Sequence, residues 1–171
     1  MRYFIIERKD VYRPRIILPY TINEQINIKR GKIESVDKVA IWKEKESEFT
    51  FFSDILTDPL LLLSGRAKEV VQMYDRKMTF KQIVLFGEET ENVMLYYLPL
   101  LSEISGEWKG ENQVTIHGMD VGIIGKAPML RLKTAGKIRY LVNLEITESF
   151  LKRRMTGMDI EIVDIFLDRE I

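Results

Sequence analysis

The chain has no cysteine and a single histidine, His117, among its 171 residues. Without cysteine there can be no disulfides, no thiolate nucleophile and no zinc-thiolate site, and a reducing compartment fits best. One histidine leaves only His117 for a nucleophilic triad, and no serine stands in a Gly-x-Ser-x-Gly setting; Ser64, in Leu-Leu-Ser-Gly-Arg, lacks the first glycine. Charge of one sign is missing too. Lys+Arg and Asp+Glu both number 26, whereas a dedicated nucleic-acid binder carries a basic excess. No apolar run approaches the roughly 20 residues that a bilayer-crossing helix needs, and the apolar stretch before Glu7 is too brief for a signal-peptide core. The expectation is a cytoplasmic protein with no membrane and no nucleic-acid partner.

What remains is an ordinary globular composition, 46% hydrophobic and 30% charged, long enough for one domain over residues 1–171. Local charge is uneven. Residues 54–111 hold six basic against ten acidic side chains, the acids gathering at Glu88, Glu89 and Glu91 and at Glu103, Glu107 and Glu111.

The organising stretch runs from Pro59 to Phe86. Leu60–Leu63 reads as a buried strand and Ser64 as an N-cap. Ala67, Val70, Val71, Tyr74 and Met78 form one helical stripe, with Arg76 and Lys77 at its C-terminal end. Phe80–Phe86 returns as a strand and pairs with Val93–Leu98 across the acidic tip. A second copy of the pattern runs from Arg139 to Ile165. Here Asn143 caps a helix whose apolar side is Leu144, Phe150, Leu151 and Met155, Gly157 is a left-handed residue after the helix, and a last strand follows. Met129–Thr134 and Ile138–Val142 read as a hairpin through Ala135-Gly136, with Leu130 and Leu132 facing Ile138, Tyr140 and Val142.

The rest is less regular. Residues 1–53 read as N-terminal strands and connectors: Tyr3–Ile6, an edge piece Arg15–Leu18 between prolines, and Lys38–Lys45 with one face wet, while Thr21–Val36 shows no clear pattern. Residues 54–100 hold the first strand-helix-strand unit plus hairpin, opening on a helical turn or loop at Ser53–Pro59. Residues 102–112 read as a polar loop, and 112–171 as the second unit. The fold expected is α+β, mostly antiparallel sheet with two short helices, each in a strand-helix-strand unit.

Motifs for chemistry are absent. In HGMDVGIIGKAP, Gly125-Lys126 is followed by alanine and Asp120 occupies the first glycine position of a P-loop; the dinucleotide spacing fails as well. No catalytic, cofactor or metal residue is assigned. Carboxylates that converge only in space stay open, and so does a homodimer. Trp42 and Trp108 each stand among charged residues, and tryptophans are frequent interface anchors.

Several segments together resemble the immunity-protein-eleven family of bacterial polymorphic toxin systems, formerly a domain of unknown function. They are the strand ending in Leu63-Ser64, Phe80–Leu85, Met94-Leu95-Tyr96-Tyr97-Leu98-Pro99, the hairpin into Val142-Asn143, and Thr156-Gly157-Met158-Asp159-Ile160-Glu161-Ile162-Val163. The similarity spans residues 55–165, with Asn143 where the family often has serine. It implies a non-catalytic protein that binds and neutralises a cognate toxin domain. The contact residues expected on that basis are Trp42, Glu88, Glu89, Glu91 and Trp108. A structural adaptor without a toxin, or a carboxylate enzyme, are the other classes.

Overall fold

The computed structural model describes residues 2–8, 15–30, 32–45, 52–87 and 91–168. The fold is α+β, built from two sheets with a helical layer between them. The first sheet closes into a barrel of β1 (Tyr3–Arg8), β8 (Glu103–Trp108), β9 (Gln113–His117), β10 (Met129–Thr134), β11 (Lys137–Asn143) and β12 (Met158–Asp168), in the order β1-β11-β10-β8-β9-β12. The second is open, with β2 (Arg15–Ile17), β3 (Val39–Lys45), β4 (Ile55–Leu56), β5 (Leu62–Leu63), β6 (Phe80–Gly87) and β7 (Val93–Pro99) in the order β2-β3-β6-β7-β5-β4. The helices are α1 (Ile22–Lys29), α2 (Gly65–Tyr74) and α3 (Leu144–Lys152).

The two sequence repeats become one supersecondary unit built twice. β5 and β6 flank β7, and β11 and β12 flank β1, each inner strand antiparallel to both neighbours. Each unit is therefore a strand, a helix and a parallel strand with a third strand inserted between them. The caps work as their residue types dictate. Ser64 Oγ accepts from the Ala67 amide at 3.2 Å, and Asn143 Oδ1 accepts from the Ile146 amide at 3.0 Å. The two helices pack together between the sheets, where Val70, Val71, Ile146 and Phe150 meet Leu63 and Val142 in one buried cluster.

The other two clusters fill the barrel and the far face of the open sheet. Inside the barrel Tyr3, Ile5, Leu130, Leu132 and Leu141 are buried, and Tyr3 Oη donates to the Ala127 carbonyl at 2.7 Å while accepting from the Gly125 amide. Beneath the open sheet, Trp42, Ile83, Leu85, Tyr96 and Leu98 pack against Ile28 of α1 and Val36.

The structure corrects several local expectations. Thr21–Val36 contains a helix, α1, started by a capping box between Thr21 and Glu24. Residues 102–112 are not a loop: they hold β8. Gly106 sits in that strand because a Cβ there would meet Ile116 Cδ1 at 2.7 Å and Val114 Cγ2 at 2.8 Å. Ser53–Pro59 holds β4 rather than a helical turn. Three of the described pairings are parallel, β3 with β6, β8 with β10 and β9 with β12. In the late hairpin Leu130 pairs with Leu141 and Leu132 with Arg139. Both leucines thus face the barrel interior with Leu141, and Tyr140 and Val142 face the helices instead. α2 ends at Tyr74, so Met78, Arg76 and Lys77 lie beyond it. On α3 the buried residues are Ile146, Thr147, Ser149 and Phe150, while Leu144 and Leu151 are exposed. Arg154, at φ 53°, is the left-handed residue that follows α3; Gly157 is left-handed further on, entering β12.

The junction between the sheets is polar and local. Asp54 Oδ2 accepts from the Thr156 amide at 3.1 Å and from its hydroxyl at 3.2 Å, and Oδ1 accepts from Ser64 Oγ at 2.9 Å. The Ile55 amide donates to the Thr156 carbonyl at 3.1 Å. Gly157 lies so close that a Cβ would stand 2.2 Å from the Ile55 carbonyl oxygen. Two buried phenols add cross-links: Tyr140 Oη accepts from the Leu61 amide at 3.1 Å, and Tyr96 Oη donates to the Ser53 carbonyl at 2.7 Å.

Two predictions follow the junction and the phenols. Gly157→Ala adds a backbone collision to a left-handed strain and should cost roughly 3 kcal/mol or more. Gly110→Ala, at a φ of 91° but with nothing within 4 Å, should cost only about 1–2 kcal/mol in denaturant unfolding. Burial raises the pKa of Tyr3, Tyr96 and Tyr140, and at Tyr96 the charges of Asp54 and Glu44 add to it. A phenol whose folded pKa is raised contributes stability that is present below about pH 10 and lost above it, because the unfolded chain releases the proton first. Stability should fall as pH rises beyond about 10, and less steeply in Tyr96→Phe.

Candidate functional site

The open sheet has one face sealed and the other sealed over only part of its area. α2 covers the β5/β7 end of the second face, where Lys68 Nζ sits 4.3 Å from the Tyr97 ring centroid and the Tyr97 and Phe80 rings meet edge to face at 6.4 Å. Beyond α2 the register sets apolar side chains in rows. Ile41 pairs with Val84 and Val84 with Leu95; Lys43 pairs with Phe86 and Phe86 with Val93; Ile17 stands beside Lys43. Alternation along a strand puts all of these on one face. Most stay in water: Ile41 is 68% exposed, Val93 61%, Val39 55% and Leu95 44%. Scattered surface apolar residues need no explanation, but a contiguous apolar tract is characteristic of an interaction surface.

Charge stands at the same end of the sheet on both flanks. Arg15, exposed, lies on the β2 flank in register with Lys45. Glu91, exposed and with φ 54°, lies beside the start of β7. The apolar rows lie next to this charged end along the strands.

The residues expected at the contact surface are scattered. Trp42 is fully buried on the opposite face of the sheet, edge-on to Tyr20 at 6.5 Å, and is withdrawn from any surface role. Its charged neighbours misled because a strand alternates: Lys43 points outward, while Glu44 shares the inner face with Trp42 and is itself buried. Trp108 is half-buried on the barrel under the Arg139 guanidinium, 4.5 Å from the ring centroid, and Arg139 Nε reaches Glu7 at 3.4 Å. Glu91 lies at the end of the open sheet, so the two belong to different sheets. Glu88 and Glu89 fall outside the described residues. The acids of 103–111 form no single patch either: Glu103 binds Arg131 at 2.5 Å, while Glu107 lies 4.0 Å from His117.

His117 bridges carboxylates, with Nδ1 3.2 Å from Asp168 Oδ2. Among the described residues, no group of three or more histidine or carboxylate side chains is placed to hold a metal ion. A cavity of about 360 Å³ at the seam of the two sheets is lined by Lys81, Arg131, Ile33, Leu100 and Leu101. Both of its cations are engaged: Lys81 Nζ donates to the carbonyls of Ile33, Glu34 and Val36, and Arg131 holds Glu103. No described helix is long and apolar enough to cross a membrane. No protein-family model matches the chain, and no curated protein matches it.

The bare face had a sequence trace. Phe80–Phe86 carries Ile83, Val84, Leu85 and Phe86 without a polar break, as in a strand covered on both sides. Only the structure shows that, among the described residues, no second layer covers Val84 and Phe86. Replacing Ile41 or Leu95 by serine should therefore shift folding stability by no more than about 0.5 kcal/mol, whereas Ile83→Ala beneath the same sheet should cost about 2–5 kcal/mol in chemical denaturation.

Proposed function

We propose that this protein is a non-catalytic binding protein of the immunity type, which captures and neutralises a cognate toxin domain in the cytoplasm of the cell that makes it. The observation that carries the reading is the bare apolar face of the open sheet, centred on Ile41, Val84, Phe86 and Leu95. A protective complex must be tight, and a standard interface buries roughly 1,200–2,000 Å² in total. A rigid, twisted sheet surface offers such area with little ordering cost, since its backbone is already fixed by pairing on both sides. Phe86, on the same face, supplies an aromatic anchor of the kind that dominates interfaces, and Glu91 at the rim supplies charge that steers and orients. The resemblance described above suggests the partner class, and an apolar face of this kind supports a protein partner.

The test is co-expression with the toxin encoded by the adjoining reading frame, scored by growth. The wild-type chain should rescue. Ile41→Asp combined with Leu95→Asp should weaken binding at least about 100-fold and abolish rescue, whereas Trp108→Ala should leave it intact. Reversing Glu88, Glu89 and Glu91 to lysine tests the acidic tip separately, and should weaken protection if the rim contributes. Full rescue by the Ile41/Leu95 variant would refute this face as the contact surface, and failure of the wild-type chain to rescue would refute the immunity reading.

A further inference from the structure

The same face is complementary to itself. At its charged end the β2 flank carries Arg15, in register with Lys45, and the β7 side carries Glu91; the apolar rows lie next to that end along the strands. We propose that in the absence of a toxin this face is covered by a second copy of the chain, in a two-fold dimer that stacks the two open sheets. The proposal goes beyond the immunity reading, which concerns a different occupant of the surface.

The register dictates the pairing. Take a two-fold axis running along the strands, midway between β3 and β6. It carries β2 onto β7 and β3 onto β6, within unchanged rows. Arg15 of one copy then lies over Glu91 of the other, Ile17 over Val93, and Ile41 over Val84, with Lys43 along the Phe86 ring. Each contact occurs twice, as an isologous interface demands. Cation meets anion at the charged end, apolar meets apolar at Ile17 over Val93 and Ile41 over Val84, and the Lys43 stem lies along an aromatic ring. No other strand-parallel axis does both: placed on β6 it removes β2, and with it Arg15, from the overlap with β7. Sheets stacked in this way sit about 10 Å apart with strands roughly 30° from parallel. That spacing is one helix diameter, about 10 Å, so the second sheet would lie level with α2 and abut it. The uncovered area is thus bounded by α2 on one side and open on the other, as a docked sheet requires.

The test is sedimentation velocity on the purified chain alone, from roughly 1 to 500 µM, a range that spans weak to firm dimers. The wild-type chain should pass from monomer to dimer as concentration rises. Val93→Glu and Ile41→Glu, each checked for native circular dichroism, should weaken the dimer at least about tenfold, because each sets a charge against an apolar partner, Ile17 or Val84. Arg15→Glu alone and Glu91→Arg alone should each weaken it roughly three- to tenfold, as two exposed ion pairs are lost per dimer. The two together should restore it to within about threefold of wild type, which neither lost apolar area nor a remote structural effect would do. A chain that stays monomeric throughout would overturn the proposal, as would a dimer indifferent to Ile41→Glu and Val93→Glu, or a double reversal no better than the single ones. A monomeric chain that still rescues cells would leave the toxin as the sole occupant of the face. A dimer that does not rescue would leave self-association standing and end the immunity reading.

Discussion

One carboxylate holds the arrangement in place. Asp54 accepts from both the backbone and the hydroxyl of Thr156, where the chain leaves α3 for the barrel, and at the same time from Ser64, the residue that starts α2. Charge-assisted hydrogen bonds of this kind are among the stronger polar contacts a protein makes. Through them the start of one helix is fixed relative to the end of the other. Gly157 completes the contact by letting the backbones meet where no side chain fits. With α2 pinned to that corner, it covers Tyr97 and Phe80 and cannot also cover Val84 and Phe86. The bare face is a consequence of where the helix is anchored.

That consequence connects packing to function. Strands β3, β6 and β7 carry apolar residues on both faces, as a strand between two layers does, yet the described residues supply one full layer and part of another. Ile83, Leu85 and Trp42 are sealed beneath the sheet; Ile41, Val93 and Leu95 above it are in water. Exposed apolar surface of this kind weighs little on the folded state, since the unfolded chain exposes it too. It is an opportunity for association, where the hydrophobic contribution is about 25 cal/mol per Å² removed from water before the ordering costs of binding are met. Both occupants proposed for the face, a toxin domain and a second copy, draw on that same reserve.

Much of this was legible in the residues, and the failures have physical causes. The two strand-helix-strand units, their Ser64 and Asn143 caps, the antiparallel pairing of β6 with β7 and the α+β class all followed from period and punctuation. α1 was missed because only Ile28 of its isoleucines is buried, so no apolar stripe exists; the Thr21–Glu24 capping box was the available sign. β8 was missed because the stretch 102–112, with Gly106, Gly110 and three glutamates, resembles a loop, although Gly106 serves close strand packing. The register of β10 against β11 slipped by one residue, which exchanges the two faces of a strand. Trp42 stands among charged neighbours, and alternation alone does not say which face is inside, because Val39 and Ile41 on the opposite face are apolar too. The extent of the bare face lay beyond sequence reading, since nothing in Val84 or Phe86 tells whether a helix stops short of them.

The central claim is that this chain makes its contacts through the uncovered end of the open sheet. Methyl-labelled NMR, titrating in the toxin domain proposed as its partner, tests it directly. The account predicts that the methyl resonances of Ile41, Val84 and Leu95 shift or broaden on binding, while those of Leu144 and Leu151 on α3 and Ile162 on the barrel stay where they are. Perturbations gathered on α3 or the barrel, with Ile41 and Leu95 unmoved, would contradict it.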